Sequence, residues 1–341
     1  MTDTTHRIPL ILDVDTGIDD SLALLYAAAS PEAELVTVTC LSGNVEAADT
    51  ARNTLAILEL AGRGDVEVSI GQRVPLVRPL EITPETHGPT GTGFAVLPDP
   101  QRGVSGRFGP SVIAEEARRR PGELTLVTLG PLTNLALALR EEPALPRLLK
   151  RWIMMGGAFT VPGNTTPTTE WNVHCDPEAA HECFAAWQAA VDADPTTMRG
   201  LAMGLDVTER ARIMPADVEA LAARAGTTPG SGDAPATNPV IRYVVDALRW
   251  YFEFHERYDG FYGAFIHDPF VVAAALDPDL VRTVPMAVDV DTAGGLADGL
   301  TIGDRRGVWG RTPNMDVAVE GHAGEFLARL IERAGALASD R

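Results

Sequence analysis

Residues 8–20 read Ile-Pro-Leu-Ile-Leu-Asp-Val-Asp-Thr-Gly-Ile-Asp-Asp. The run Ile8–Val14 is short, mostly apolar and β-branched at several positions, so it reads as a buried strand. Stretch 19–30 then reads as a helix, with Leu22, Leu25, Tyr26 and Ala29 at helical spacing and a stop before Pro31. Four carboxylates, on Asp13, Asp15, Asp19 and Asp20, crowd the junction between strand and helix. Repulsion among them raises their pKa values and destabilises the loop unless positive charge compensates. The N-terminal end of the helix supplies part of that charge. A divalent cation would supply more, and an all-oxygen donor set points to Ca²⁺ or Mg²⁺ rather than zinc. The bland alternative makes Asp19 and Asp20 helix caps and Asp13 and Asp15 a solvated turn. Capping accounts for two of the four.

Outward from this junction the alternation continues. Stretches 35–41, 66–70, 124–129 and 152–155 read as strands, and 46–61, 132–140 and 177–190 as helices. Strands alternating with helices predict an α/β fold with a mostly parallel central sheet, an open Rossmann-like sheet flanked by helices. Residues 71–110 are rich in Pro and Gly and lack a period, as expected of a functional or mobile loop. Residues 156–176 form a second long loop, and 226–238 has the composition of a flexible linker. Beyond it, 240–257 reads as a helix, 284–290 and 315–319 as strands, and a last helix begins near Ala323. No repeat or shift in composition marks a boundary, so residues 1–341 are expected to form one domain.

Composition narrows the function. Of 341 residues, 45% are hydrophobic and 22% charged, which fits a globular chain. The 28 Lys and Arg against 47 Asp and Glu leave a formal charge of −19, the opposite of a phosphate-binding face, so no nucleic-acid partner is expected. Lys150 is the only lysine. The three cysteines, Cys40, Cys175 and Cys183, form no CxxC pair, which fits a reducing cytosol and a cytoplasmic location. No signal peptide is read at the polar N-terminus, and the apolar run 22–29 is too short to span a bilayer, so no membrane partner is expected.

Ligands of open α/β sheets bind beyond the carboxyl ends of the strands. That rule draws together Asp15, Asn44, Leu129 and Met155, each just past a predicted strand. Asn164, Glu170, Trp171 and Asn172 in the second long loop combine amides, a carboxylate and an aromatic ring, a set suited to polyhydroxylated ligands. His267-Asp268-Pro269 reads most simply as a helix start, and His87 as a loop residue. No P-loop, GxGxxG, GxSxG or HExxH pattern occurs.

Taken in order, these pieces resemble the nucleoside hydrolases of the inosine–uridine-preferring family. Asp13, Asp15, Gly17, Asp19 and Asp20 match its DxDxGxDD signature, with Thr16 where Pro is common. Gly43-Asn44, His87-Gly88, the 129–134 stretch, Met155-Gly156-Gly157, Asn164, Glu170-Trp171-Asn172 and His267-Asp268-Pro269 follow in register over about residues 8 to 275.

The resemblance implies hydrolysis of the N-glycosidic bond of ribonucleosides to ribose and free base. It implies a Ca²⁺ ion held by Asp15, Asp20, Asp268 and the carbonyl of Leu129, with Asp15 as general base. Asp19, Asn44, Asn164, Glu170 and Asn172 would hold the ribose, with Met155 lining its pocket. His267 would stand near the leaving base as its proton donor, with a pKa near neutrality. His87 would sit in a loop closing over the base, and Trp171 replaces a common Phe. A homodimer or homotetramer is also implied. Two other readings compete. One is a non-catalytic Ca²⁺-dependent nucleoside-binding protein. The other is a haloacid-dehalogenase-like phosphatase, built on Asp13-Val14-Asp15 with Lys150 as its phosphate-binding lysine.

Overall fold

The computed structural model describes residues 7–231 and 234–341. Six parallel strands are β1 (Ile8–Val14), β2 (Ala33–Cys40), β3 (Glu67–Ile70), β4 (Thr125–Thr128), β5 (Arg151–Met155) and β6 (Gly200–Met203). They lie in the order β6-β5-β4-β1-β2-β3. Beyond β6 come Met315–Gly321, parallel to it, then the antiparallel Val281–Val290, then Thr301–Asp304. The mostly parallel sheet expected from the sequence is therefore present, with one strand reversed.

The period-two alternation of each strand builds the layers. β1 sends Leu10, Leu12 and Val14 into one apolar cluster and Ile11 into the other. β5 does the same with Ile153 and Met155 against Trp152 and Met154. Both faces are thus covered, as a parallel sheet requires. The chain moves from β1 out to β2 and β3, then returns to β4 on the other side of β1. Connections leave β1 and β4 in opposite directions, and this opens a crevice at their carboxyl ends.

Helix α1 (Ile18–Ala29) follows β1 and is buried from Ile18 through Ala27. Helix His267–Leu276 is buried over its whole length and packs on α1. Helices apolar all round belong in a core. These two reach the crevice with their N-termini, where their acidic first-turn residues lie. Helix α2 (Ala47–Leu60) packs beside α1.

Some elements differ from expectation. Helix Gly109–Arg119 begins on the last two residues of the expected 71–110 loop, and its remainder carries no sequence reading; its Gly-Pro start resembles a turn, but proline is tolerated in a first helical turn. Helix Pro215–Arg224 and the four-residue β6 carry too short a period to see. The long 71–110 segment holds a helical turn at Pro84–His87. Arg78 ties it down through Glu178 at 2.9 Å and through Asp298. In the supposed linker, Gly230–Ser231 pairs with Ala234–Pro235, while residues 232 and 233 lie outside the described residues. So do residues 1–6 of the polar N-terminus, where no signal peptide is read. No helix among the described residues is long and apolar enough to cross a membrane.

Phe270, fully buried, stacks on Phe326 of the C-terminal helix at 4.9 Å between ring centroids. Phe270→Ala is expected to cost about 3–5 kcal/mol. A urea unfolding midpoint that stays at the parent value would contradict this placement.

Candidate active site

The crevice floor is made of aspartates. Asp13 at the end of β1 accepts hydrogen bonds from the Thr39 hydroxyl at 2.6 Å and the Asn134 amide at 2.8 Å. Asp15, two residues on, accepts from the Asn44 backbone at 2.8 Å. Asp20 accepts from the Gly17 backbone at 2.9 Å and the Asn44 side chain at 3.2 Å. All three are buried, yet Asp13 Oδ2, Asp15 Oδ1 and Asp20 Oδ1 have no partner. Burial pushes the carboxyls of Asp13 and Asp19 up to about 7, and the charge of Asp20 adds to the rise at Asp19. Burial, with the charges of neighbouring aspartates, raises Asp15 and Asp268 well above the usual carboxylate range. The backbone amides of His267 and Asp268 face Asp19 and oppose its rise. The floor is therefore proton-hungry unless a cation sits on it.

Asp19, Asp20 and Asp268 each offer an oxygen, all within 4.8 Å of one another. This trio includes Asp19 and not Asp15, the residue expected there. Orphaned, fully buried carboxylate oxygens and an all-oxygen donor set fit a hard divalent cation. The Leu129 carbonyl faces the same end of the sheet and accepts from Asn172 Nδ2 at 2.7 Å, which leaves its second lone pair.

Close backbone approach keeps Asp15 in place. A Cβ on Gly43 would sit 2.1 Å from Asp15 Oδ2, and one on Gly130 would sit 2.7 Å from Asp15 Oδ1.

Above the floor lies a cavity of about 600 Å³. Asp19, Asn44, His87, Leu129, Met155, Asn164, Glu170, Trp171, Asn172, His267 and Asp268 line it. Asp15 and Asp20 lie beneath it, at 1% and 0% exposure. Every site residue singled out from the sequence is thus in the lining or directly under it.

The second loop is held by its own polar groups. Glu170 caps a short helix, Trp171–Cys175, taking the Asn172 amide at 2.8 Å, the Val173 amide at 3.1 Å and the Gly157 amide at 2.9 Å. The Asn164 side-chain Oδ1 accepts from the Trp171 backbone amide at 3.0 Å. Asn172 Nδ2 also contacts the Met155 carbonyl at 3.3 Å, so one amide ties the ends of β4 and β5.

One expectation for the histidines fails, and it concerns His267. His87 ends the helical turn Pro84–His87 at the cavity wall, buried, and its Nδ1 accepts from the Ile18 backbone at 3.1 Å, satisfying a donor at the start of α1. His267 lacks a near-neutral pKa, because burial, then the neighbouring His255 and His87, pushes it down to about 3. His267 Nδ1 lies 2.8 Å from the Thr208 hydroxyl.

The sequence reading missed one wall. Glu209, Tyr251, Phe254, His255, Tyr258, Asp259 and Phe265 also line the cavity. The aromatic density of 250–265 was the available signal. Trp250, by contrast, hydrogen-bonds the Glu85 carbonyl at 3.2 Å and does not line this cavity.

Residues 10–328 match the inosine-uridine preferring nucleoside hydrolase family. This chain belongs to that family. It is similar to the pyrimidine-specific ribonucleoside hydrolase RihA of Enterobacter sp. (strain 638), 38% identical over 96% of this chain and 97% of that one. Among solved structures it is similar to a purine-preferring ribonucleoside hydrolase from Gardnerella vaginalis, with TM-score 0.87 and 31% identity over 98% of this chain and all of that one. A plant nucleoside hydrolase superposes with TM-score 0.85 at 31% identity over 96% of this chain and 99% of that one. The chain is an enzyme acting on N-glycosyl bonds of nucleosides. The phosphatase reading is overturned: besides the family match, the exposed Lys150 precedes β5 and so sits at the end of that strand away from the site.

Gly43→Ala leaves the backbone conformation allowed but drives a methyl into Asp15. Turnover is expected to fall about 100-fold or more, with far-ultraviolet circular dichroism unchanged. Parent-level activity would show that the Asp15 position is not critical.

Proposed function

We propose that this nucleoside hydrolase cleaves ribonucleosides with a Ca²⁺ ion on the aspartate floor and Asp15 as the general base. The observation that carries the reading is the set of buried, unpartnered carboxylate oxygens beneath a cavity of nucleoside size. Asp15, Asp20, Asp268 and the Leu129 carbonyl would hold the ion, with Asp19 beside them. When bound, Ca²⁺ supplies Lewis-acid polarisation and orientation of oxygen ligands.

The chain's own residues do the rest. Asp15 Oδ1 is left without a hydrogen-bond partner, which suits it to take a proton from the attacking water. Cleavage passes through an oxocarbenium-like ribosyl group, as in glycoside hydrolysis. The carboxylate floor stabilises that developing positive charge. Asp19 and Asn44 hold ribose hydroxyls. Asn172, its amide spent on strand carbonyls, keeps its Oδ1 as an acceptor. Glu170 and Asn164 hold the same loop and offer their remaining lone pairs, while Met155 and Trp171 pack on the sugar. His267, neutral through burial, hydrogen-bonds the base, with His87 beside it, so the proton for the leaving base comes from water. Three buried, free cysteines fit a reducing cytoplasm.

The decisive assay is reducing-sugar release from inosine, uridine, cytidine, adenosine and guanosine, with and without EDTA and without phosphate. Chelator-sensitive ribose release, abolished in Asp15→Ala, is expected. Release that survives both EDTA and the substitution would overturn the reading. Absence of release with nucleoside still bound would return the binding-only reading.

Stability should follow the same charges. Asp13 and Asp19 keep their protons to about 7 in the folded chain, against 3.8 for an ordinary aspartate. Between these values the folded state binds more protons than the unfolded one, so metal-free stability falls as pH rises through that window. The melting temperature in EDTA is expected to drop between about pH 5 and pH 8, and Ca²⁺ to raise it far more at pH 8. An equal Ca²⁺ effect at both pH values would contradict this.

A further inference from the structure

The wall that the sequence reading missed has a chemistry of its own. Glu209 lines the cavity half-buried, and its carboxylate has no hydrogen-bond partner among the described residues. Asp259 lines it too, with its side chain 40% exposed. His255, 4% exposed, places Nδ1 at 2.7 Å from Asp259 Oδ2. An ionised aspartate only accepts, so Nδ1 carries the hydrogen and Nε2 keeps a lone pair. That Nε2 is buried without a partner.

The tautomer of His267 follows the same logic. Thr208 Oγ1 donates to the Gly204 carbonyl at 3.2 Å, so it accepts from His267 Nδ1, and His267 Nε2 also keeps a lone pair. His87 is the opposite case. Its Nδ1 accepts from Ile18, so its Nε2 carries the hydrogen. Acceptors therefore outnumber donors among these groups. No Lys or Arg lines the cavity among the described residues. The nearby Arg212 lies over the rings of Phe261 and Phe265, at 4.9 and 5.0 Å.

We propose that Glu209, Asp259 and His255 form the base-recognition wall of the pocket and select nucleobases that present an amino group where uracil and hypoxanthine present a carbonyl. The proposal rests on the hydrolase reading and adds its substrate class. An exocyclic amino group donates to this wall. A carbonyl in its place would leave the acceptors unpaired and oppose their lone pairs. The charge acts in the same sense. Hydrolysis places the hydroxyl of water on C1′, sends the C1′–N electron pair to the base nitrogen and returns the hydrogen to the base. A base that departs as an anion meets two carboxylates. A base protonated before cleavage departs neutral, and those carboxylates stabilise its earlier positive charge.

The test uses two matched pairs, cytidine with uridine and adenosine with inosine. Within each pair the ring size and sugar are the same. The full-length enzyme with Ca²⁺ is expected to favour the amino member about tenfold or more in kcat/KM. Glu209→Gln and Asp259→Asn keep the shape and turn an acceptor into a donor. Each is expected to lower the amino-to-oxo ratio about tenfold, a change that general loosening of the pocket would not produce. A parent ratio near one, or a ratio unmoved in both variants, overturns the proposal. Calorimetric titration of Asp15→Ala with cytidine and with uridine reads the same preference without turnover. If no nucleoside is hydrolysed, the proposed function fails, and the calorimetric preference still decides this one.

Discussion

Five aspartates, Asp13, Asp15, Asp19, Asp20 and Asp268, are each 4% exposed or less and gather at one end of the sheet. Burying like charge is among the most costly things a fold can do, because each carboxylate gives up water and meets its neighbours' fields in a low dielectric. The surrounding structure is arranged to offset that cost. Two largely buried helices, α1 and His267–Leu276, bring their positive N-terminal ends to the cluster. Side chains distant in sequence, Asn44 from a loop and Asn134 from the first turn of helix Thr133–Glu141, donate to it. Even so, three carboxylate oxygens remain unpartnered, and that residual deficit is what a hard cation satisfies.

The same constraint shapes the pocket above. Glycines at 43 and 130 let the backbone approach Asp15 closely, so the floor is rigid by exclusion of volume. Burial keeps His87 and His267 neutral, each tied at Nδ1 to a neighbour. The pocket therefore combines negative charge below with neutral, oriented imidazoles at the side. Such a field favours positive charge on the sugar ring and works against a base that leaves as an anion. On the proposed reading, catalysis and base choice would be two expressions of one electrostatic pattern.

Much of this was legible in the order of residues along the chain. The strand–loop–helix reading of 8–30 holds because alternation and helical spacing are local properties of the backbone. The convergence of Asp15, Asn44, Leu129 and Met155 followed from strand ends alone, since parallel strands in one sheet end on one side. Helix Gly109–Arg119 was hidden by its Gly-Pro start, and β6 by its shortness.

What the sequence by itself determined was the fold class, the acid cluster and the strand-end residues that meet at the cavity, because each rests on periodicity, on neighbours in the chain or on where parallel strands end. Tertiary structure alone decided the protonation of the histidines and the far wall of the pocket. His87 is neutral because burial, then the charge of His255, pushes its pKa down, and its Nδ1 is held by Ile18, 69 residues away. His255 and Glu209 become part of the site because separate segments fold against one cavity. Desolvation and convergence depend on what packs around a group, and no local pattern encodes that.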